Sequence, residues 1–132
     1  MGRPVSQGGL DQFEDQRFIN LETYRKSGEG VRTPVWFVID GGMLFFRTPS
    51  STGKVRRLRR EKRVRVAPCA RRGEPTGRWI RGEARFVEGE QARRVNELLN
   101  RKYGLYKRLV DKIFELRGNR YITVGITPQG QQ

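Results

Sequence analysis

Residues 33–48 read Thr-Pro-Val-Trp-Phe-Val-Ile-Asp-Gly-Gly-Met-Leu-Phe-Phe-Arg-Thr. β-Branched and aromatic side chains crowd both sides of Asp40-Gly41-Gly42, and Asp-Gly between two such runs is a strong short-range hairpin signal. The stretch predicts a strand over 31–39, a tight turn, and a second strand over 43–48. Pro34 has no N–H to donate to a ladder, so one side of that backbone faces an edge, a bulge or a ligand.

The pattern continues in both directions. Upstream, residues 11–18 suggest a short helix, and a strand over 19–26 stops at Ser27-Gly28-Glu29-Gly30. Downstream, Pro49-Ser50-Ser51-Thr52-Gly53 leads into a helix over 54–60 whose inner face carries Val55 and Leu58. Arg63, Val64, Arg65 and Val66 alternate as in a half-buried strand over 63–70. A loop over 71–77 precedes a strand over 78–87 that holds Trp79, Ile80 and Phe86. Two amphipathic helices follow. The first, 90–103, aligns Val95, Leu98, Leu99 and Tyr103; the second, 105–116, aligns Leu109, Val110, Ile113 and Leu116 as its inner face. Gly104 and Gly118 serve as stops, and a last strand covers 120–126. The sum is an α+β domain of six strands that curl into a barrel, with short helices. Residues 1–10 form a flexible lead-in, 11–128 the single domain, and 129–132 a polar tail.

Composition bounds the chemistry. The chain has 132 residues, 28 of them Lys or Arg against 14 Asp or Glu, so its formal net charge is +14. It contains no histidine, which excludes Ser-His, Cys-His and His-metal chemistry within this chain. A single cysteine, Cys69, excludes an intramolecular disulfide and a multi-thiolate zinc site. The longest wholly apolar run is the five residues 35–39, and no secretory h-region is visible, so a cytoplasmic location is expected.

The charge is unevenly placed. Residues 1–53 are neutral, whereas 54–72 hold ten basic side chains and one acid, Glu61. That block sits directly behind Ser50-Ser51-Thr52-Gly53-Lys54, where hydroxyls and the free N–H groups of a helix start make an anion site. An ordinary capped helix is the plain alternative for the segment alone. It is not a Walker A loop, because the first glycine is missing and Val55 stands where Ser or Thr is required. Arg56, Arg57, Arg59 and Arg60 are adjacent and radiate around the helix, so they do not all reach one phosphate. Trp36, Phe37, Phe45, Phe46, Trp79 and Phe86 interleave with basic residues like a base-stacking surface, or else serve as barrel core. No carboxylate pair stands out and no catalytic side chain is identified. An enzyme built this way relies on a bound cofactor.

The succession TPVWF (33–37), a hairpin, LFFRT (44–48), SSTGKVRRLRR (50–60), VRVAPC (64–69) and KYG (102–104) resembles the pyridoxamine 5'-phosphate oxidase-like family. Within it, the chain looks most like the small flavin- or deazaflavin (F-420)-dependent oxidoreductases, over about residues 13–126. The resemblance implies a six-stranded split β-barrel homodimer with cofactor sites at the subunit interface. It places the cofactor phosphate near Ser51, Gly53, Lys54 and Arg57. It places the isoalloxazine or deazaflavin ring along Thr33, Pro34, Val35 and Trp36, with Arg47 and Thr48 beside it and Trp79 able to approach. The chain departs from true pyridoxamine phosphate oxidases at its C-terminus, where it lacks their additional substrate-phosphate residues, which argues against vitamin B6 chemistry.

The expected function is therefore hydride transfer between F-420, or FMN, and a small unsaturated or nitro-type compound. F-420 is favoured because its polyanionic tail suits a +9 segment better than one phosphate does. The alternatives are a non-enzymatic basic barrel that binds nucleic acid, and a flavin or deazaflavin carrier without turnover.

Overall fold

The computed structural model describes residues 10–118 and 120–129. The expected lead-in lies outside them except for Leu10, as does the end of the expected polar tail. A 3-10 turn at Leu10–Phe13 precedes β1 (Phe18–Tyr24), β2 (Gly30–Val35), β3 (Val38–Asp40) and β4 (Met43–Pro49). Then come α1 (Gly53–Arg60), β5 (Arg63–Cys69), β6 (Ile80–Val87), α2 (Gly89–Leu116) and β7 (Tyr121–Pro128). The expected helix over 11–18 shrinks to the 3-10 turn, because Asp15 takes a left-handed φ of 63° and β1 begins three residues later.

The strands form one seven-stranded sheet in the order β2-β1-β5-β6-β7-β4-β3, every neighbouring pair antiparallel. The fold is α+β, as read from the sequence, but with seven strands instead of six. The single strand expected over 31–39 divides at Trp36 and Phe37. Its first part pairs with β1, matching Thr33 to Leu21, and its second part pairs with β4, matching Val38 to Phe45. β2 and β3 are thus the two edges of the sheet, joined by the chain itself. No ladder pairs these edges among the described residues, so the expected barrel is not closed by hydrogen bonds.

Side chains 66 residues away account for the split. The Phe37 N–H donates to the Tyr103 hydroxyl at 3.0 Å, and the Phe37 carbonyl accepts from Lys102 Nζ at 2.9 Å. The Tyr103 hydroxyl in turn donates to the Arg17 carbonyl at 2.8 Å. The backbone groups of Phe37 are satisfied by α2 rather than by a strand, as buried backbone must be by one partner or another.

Two apolar clusters lie on opposite faces of β4. Leu44 and Phe46 point into the main core with Ile19, Leu21, Leu58 and Ile126, whereas Phe45 faces Val95, Leu99 and Tyr103 of α2. The alternation of a strand explains the division. Each such large side chain removed from water contributes about 1.5–3 kcal/mol. Phe37, Phe45 and Phe46 are therefore core, which removes half of the aromatic series from any base-stacking surface.

α2 is two helical segments broken at Gly104, whose φ of 72° and ψ of −150° suit glycine almost alone. The first segment buries Val95, Leu99 and Tyr103 as expected. The second corrects the sequence reading. Its inner side carries Lys107, Asp111 and Phe114, the last packed edge-on against Tyr121. Leu105, Tyr106, Leu109, Ile113 and Leu116 are exposed, Leu116 by 79%. Of the expected stripe, Val110 is half-buried on the inner side, whereas Leu109, Ile113 and Leu116 face away from the sheet. Among the described residues no helix is long and apolar enough to cross a membrane.

Candidate functional site

α1 forms because Val55 and Leu58 recur at three-residue spacing and bury against the sheet, leaving its arginines to splay outward. Its start is short of hydrogen-bond partners. Thr52 at the N-cap makes no side-chain capping bond; its hydroxyl lies 3.3 Å from that of the buried Thr48 instead. The first N–H groups of α1 are left as donors, where the helix dipole favours negative charge. Gly53 fits because a Cβ there would stand 2.9 Å from Arg57 Nη1, so the guanidinium folds back over the helix start. Ser51 is exposed beside it.

Arg57 donates from Nε to the Thr23 hydroxyl at 2.7 Å and has no carboxylate partner among the described residues. Burial, then the neighbouring Arg25, Arg56 and Arg60, push its pKa below the usual value. Lys54 is half-buried and among the described residues forms no ion pair or hydrogen bond; burial and Arg57 push its ammonium down as well. Two cations with depressed pKa and, among the described residues, no carboxylate partner make the start of α1 a candidate anion site. The remaining arginines disperse: Arg60 reaches the Tyr24 carbonyl, Arg59 lies over Phe86, and Arg56 is exposed.

The edge strand β2 continues from this end. Thr23 pairs with Val31, Leu21 with Thr33 and Ile19 with Val35, so Thr33 and Val35 share the face on which Thr23 holds Arg57. The Thr33 hydroxyl is buried with no hydrogen-bond partner. Pro34 pairs with Asn20 and points to the opposite face, beside Gly73. The sheet edge there needs no donor from it.

Trp79 is on that opposite face too. It is sandwiched between the guanidinium groups of Arg32, 4.6 Å from the ring centroid, and Arg65, 5.1 Å away. Both arginines pair with the buried Glu22. Burial alone would raise the Glu22 carboxyl, but hydrogen bonds from Arg32 and Tyr24 and the charge of Arg65 hold it below its ordinary value. The structure therefore does not bring Trp79 to the start of α1.

Trp36 and Arg47 belong to a second centre, under α2. Trp36 stacks on Tyr103 with centroids 4.7 Å apart. Arg47 donates from Nη1 to Asn96 Oδ1 at 2.8 Å and Asp111 Oδ2 at 3.2 Å, and lies over the Tyr121 ring at 4.2 Å. Lys107 is 3% exposed and donates to Asn96, Asn100 and Asp111. Burial, and the nearby Arg47, lower the Lys107 pKa, while Asp111 raises it. Arg47 and Thr48 are adjacent in β4, so they face opposite ways: Thr48 towards α1, Arg47 towards α2.

Sequence reasoning passed over Lys102 as a functional group and over Asn96, Lys107, Asp111 and Tyr121 altogether. Lys102 lies over the Phe37 ring at 3.6 Å, and burial with the charge of Arg17 brings its pKa down to about 8. One signal was present: Lys107 and Asp111 sit four apart, at the spacing of a helical ion pair. They occupy the face from which the leucines are absent.

No protein-family model matches the chain, and no curated protein matches it. Solved structures do. The fold is shared with a heme storage protein from Vibrio cholerae at a TM-score of 0.72 and 15% identity, over 92% of this chain and 87% of that one. It is shared with a protein from Listeria innocua described as a pyridoxamine 5'-phosphate oxidase, at 0.67 and 17% identity, over 96% and 94%. An F420 reductase matches at 0.59 and 16% identity, over 91% and 92%. The chain has the pyridoxamine 5'-phosphate oxidase-like fold, as the sequence resemblance implied.

Proposed function

We propose that this protein is an oxidoreductase that holds a phosphorylated deazaflavin of the F-420 type, or FMN, with the phosphate at the start of α1. The observation that carries the reading is the unpaired, half-buried Lys54 beside Arg57 at a helix start with no side-chain cap. A phosphate fits that donor set: it would neutralise both cations and accept from the N–H groups that Thr52 leaves without a capping bond. The remaining arginines of α1 suit the acidic tail of F-420 better than they suit FMN alone. The unpartnered Thr33 hydroxyl on the edge strand β2 is the group we assign to the ring, with Pro34 keeping the edge free of a further strand. When bound, the ring would supply a hydride to a small unsaturated or nitro-type compound. The chain's own part is to bind, orient and exclude water.

We further propose that the chain works as a homodimer. The exposed leucines of α2 recur at 105, 109, 113 (isoleucine) and 116, a seam that reads nearly the same from either end. Two copies laid antiparallel set Leu109 against Ile113 and bring Arg108 of one copy beside Glu115 of the other. Sedimentation tests this: Leu109→Glu is expected to give a monomer, and an unchanged sedimentation coefficient refutes the seam.

Titration with F-420 and with FMN, followed by ligand fluorescence, tests the cofactor reading. Lys54→Ala is expected to weaken the bound cofactor by about tenfold or more, the value of a charge-assisted phosphate contact. Equal affinity in wild type and variant would place the phosphate elsewhere. A protein that ignores both cofactors but binds single-stranded nucleic acid with a steep salt dependence is instead a nucleic-acid binder. One that binds F-420 yet oxidises nothing is a carrier.

A further inference from the structure

On the α2 side of β4, away from the start of α1, lies a cavity of about 160 Å³. Its walls are Trp36, Leu99, Val110 and the ring of Tyr121, and its charged lining is Arg47, Lys107 and Asp111. An apolar cavity of about 150 Å³ holds one benzene ring, so this one has the size for a single six-membered ring. The walls are those of an aromatic site: an indole, a phenol and two aliphatic side chains.

The polar groups are less evenly satisfied than they first look. Lys107 has three acceptors for its three protons and nothing left to offer. Arg47 commits only Nη1, which serves both Asn96 and Asp111. Its Nε and Nη2 make no hydrogen bond among the described residues. These two atoms form the side-on edge of a guanidinium, whose parallel N–H groups match the two oxygens of a carboxylate. The guanidinium lies over the Tyr121 ring, 4.2 Å from its centroid. The Arg47 side chain is 16% exposed, so little water competes for the edge.

Charge favours a monoanion over a neutral ligand. Arg47 and Lys107 face one carboxylate, Asp111, leaving the lining one positive charge in excess. Glu115, the next carboxylate along α2, is exposed and screened by solvent. The Tyr121 hydroxyl stays neutral: burial and Asp111 push its pKa up to about 12.

We infer that this cavity binds a single-ring aromatic carboxylate, its ring against Trp36, Leu99 and Val110 and its carboxylate on the Nε–Nη2 edge of Arg47. The site does not rest on the cofactor reading, because Arg47 points away from the face of β4 that Thr48 turns towards α1. It is a separate small-acid site, open to a substrate or an effector of that class.

Benzoate, with its neutral isostere benzamide, is the probe. Binding is read by NMR from the Trp36 indole and Arg47 Nε resonances of the full chain. Benzoate is expected to shift both in a saturable way, with benzamide weaker by about tenfold or more for lack of the charge-assisted pair. Val110→Phe fills the cavity from its rim while leaving Arg47 and its partners intact, and is expected to abolish the benzoate shifts. Lys54→Ala is expected to leave them unchanged, so the two readings fail separately. No saturation up to about 10 mM, the weak limit of small-ligand binding, overturns the proposal. So does benzamide binding equal to benzoate, or undiminished benzoate binding to a folded Val110→Phe.

Discussion

Replacing Asp111 by Asn tests whether the charged cluster under α2 is held by that one carboxylate. The substitution changes shape hardly at all, so its effect is electrostatic. Asp111 lies against Lys107 and 3.2 Å from Arg47, and among the described residues no other acid forms an ion pair with either cation. In the variant, Lys107 keeps oxygen acceptors on Asn96 and Asn100 but loses its counter-charge while 3% exposed. Removing one partner of a fully buried pair costs about 3–5 kcal/mol. Asp111 and Arg47 retain 18% and 16% exposure, so partial solvation reduces the expected loss to about 2–3 kcal/mol. With a urea m-value of about 1–3 kcal/mol per molar, the midpoint falls by roughly 1–2 M. The assay is urea unfolding at pH 7 followed by tryptophan fluorescence, which Trp36 reports from its stack on Tyr103. Adding Lys107→Met to the variant removes the stranded cation and is expected to recover part of the loss. The single variant is also expected to stabilise as pH rises, because the folded state releases the Lys107 proton more readily than the unfolded state does. A loss below about 0.5 kcal/mol, the range of ordinary surface substitutions, or a double variant no more stable than the single one, refutes the argument.

Lys102 predicts a second pH dependence. Its folded pKa is about 8 against an ordinary 10.5, so the cost of burying its charge is present in full below pH 8. Between pH 8 and 10 the folded state loses that proton while the unfolded state keeps it, and stability rises. The difference in unfolding free energy between wild type and Lys102→Met should therefore change across that window; a constant difference from pH 7 to 10 refutes the assignment. Gly104→Ala has no neighbour to strike within 4 Å, so its cost is purely conformational. Thermal unfolding should show a loss of about 1–3 kcal/mol, and an unchanged midpoint would mean that Gly104 does not hold its φ of 72°.

Much of the site was legible as residue types in order. The spacing of Val55 and Leu58 placed α1, and the run of arginines behind Ser51, Gly53 and Lys54 marked its start as cationic. The Asp40-Gly41-Gly42 turn set the β3–β4 hairpin. What local sequence does not carry is face. Arg47 and Thr48 are neighbours in the chain, yet one joins the α2 cluster and the other the α1 end. Trp79 reads as another aromatic near the site, but Arg32 and Arg65 hold it on the far side of the β1–β2 ladder.

The sequence by itself determined most of the elements, the location of the charge and the lack of any histidine, because these follow from local spacing and composition. The tertiary structure alone decided where the strand over 31–39 divides. The Tyr103 hydroxyl and Lys102 ammonium satisfy the backbone of Phe37 from 66 and 65 residues away, which no local pattern can encode. It also decided which side of the second half of α2 is buried. A helical period reveals that an apolar stripe exists, but after the break at Gly104 the rotation of the helix, not its sequence, chooses what the sheet receives. Here it receives Lys107, Asp111 and Phe114, and Leu105, Leu109 and Leu116 stay exposed.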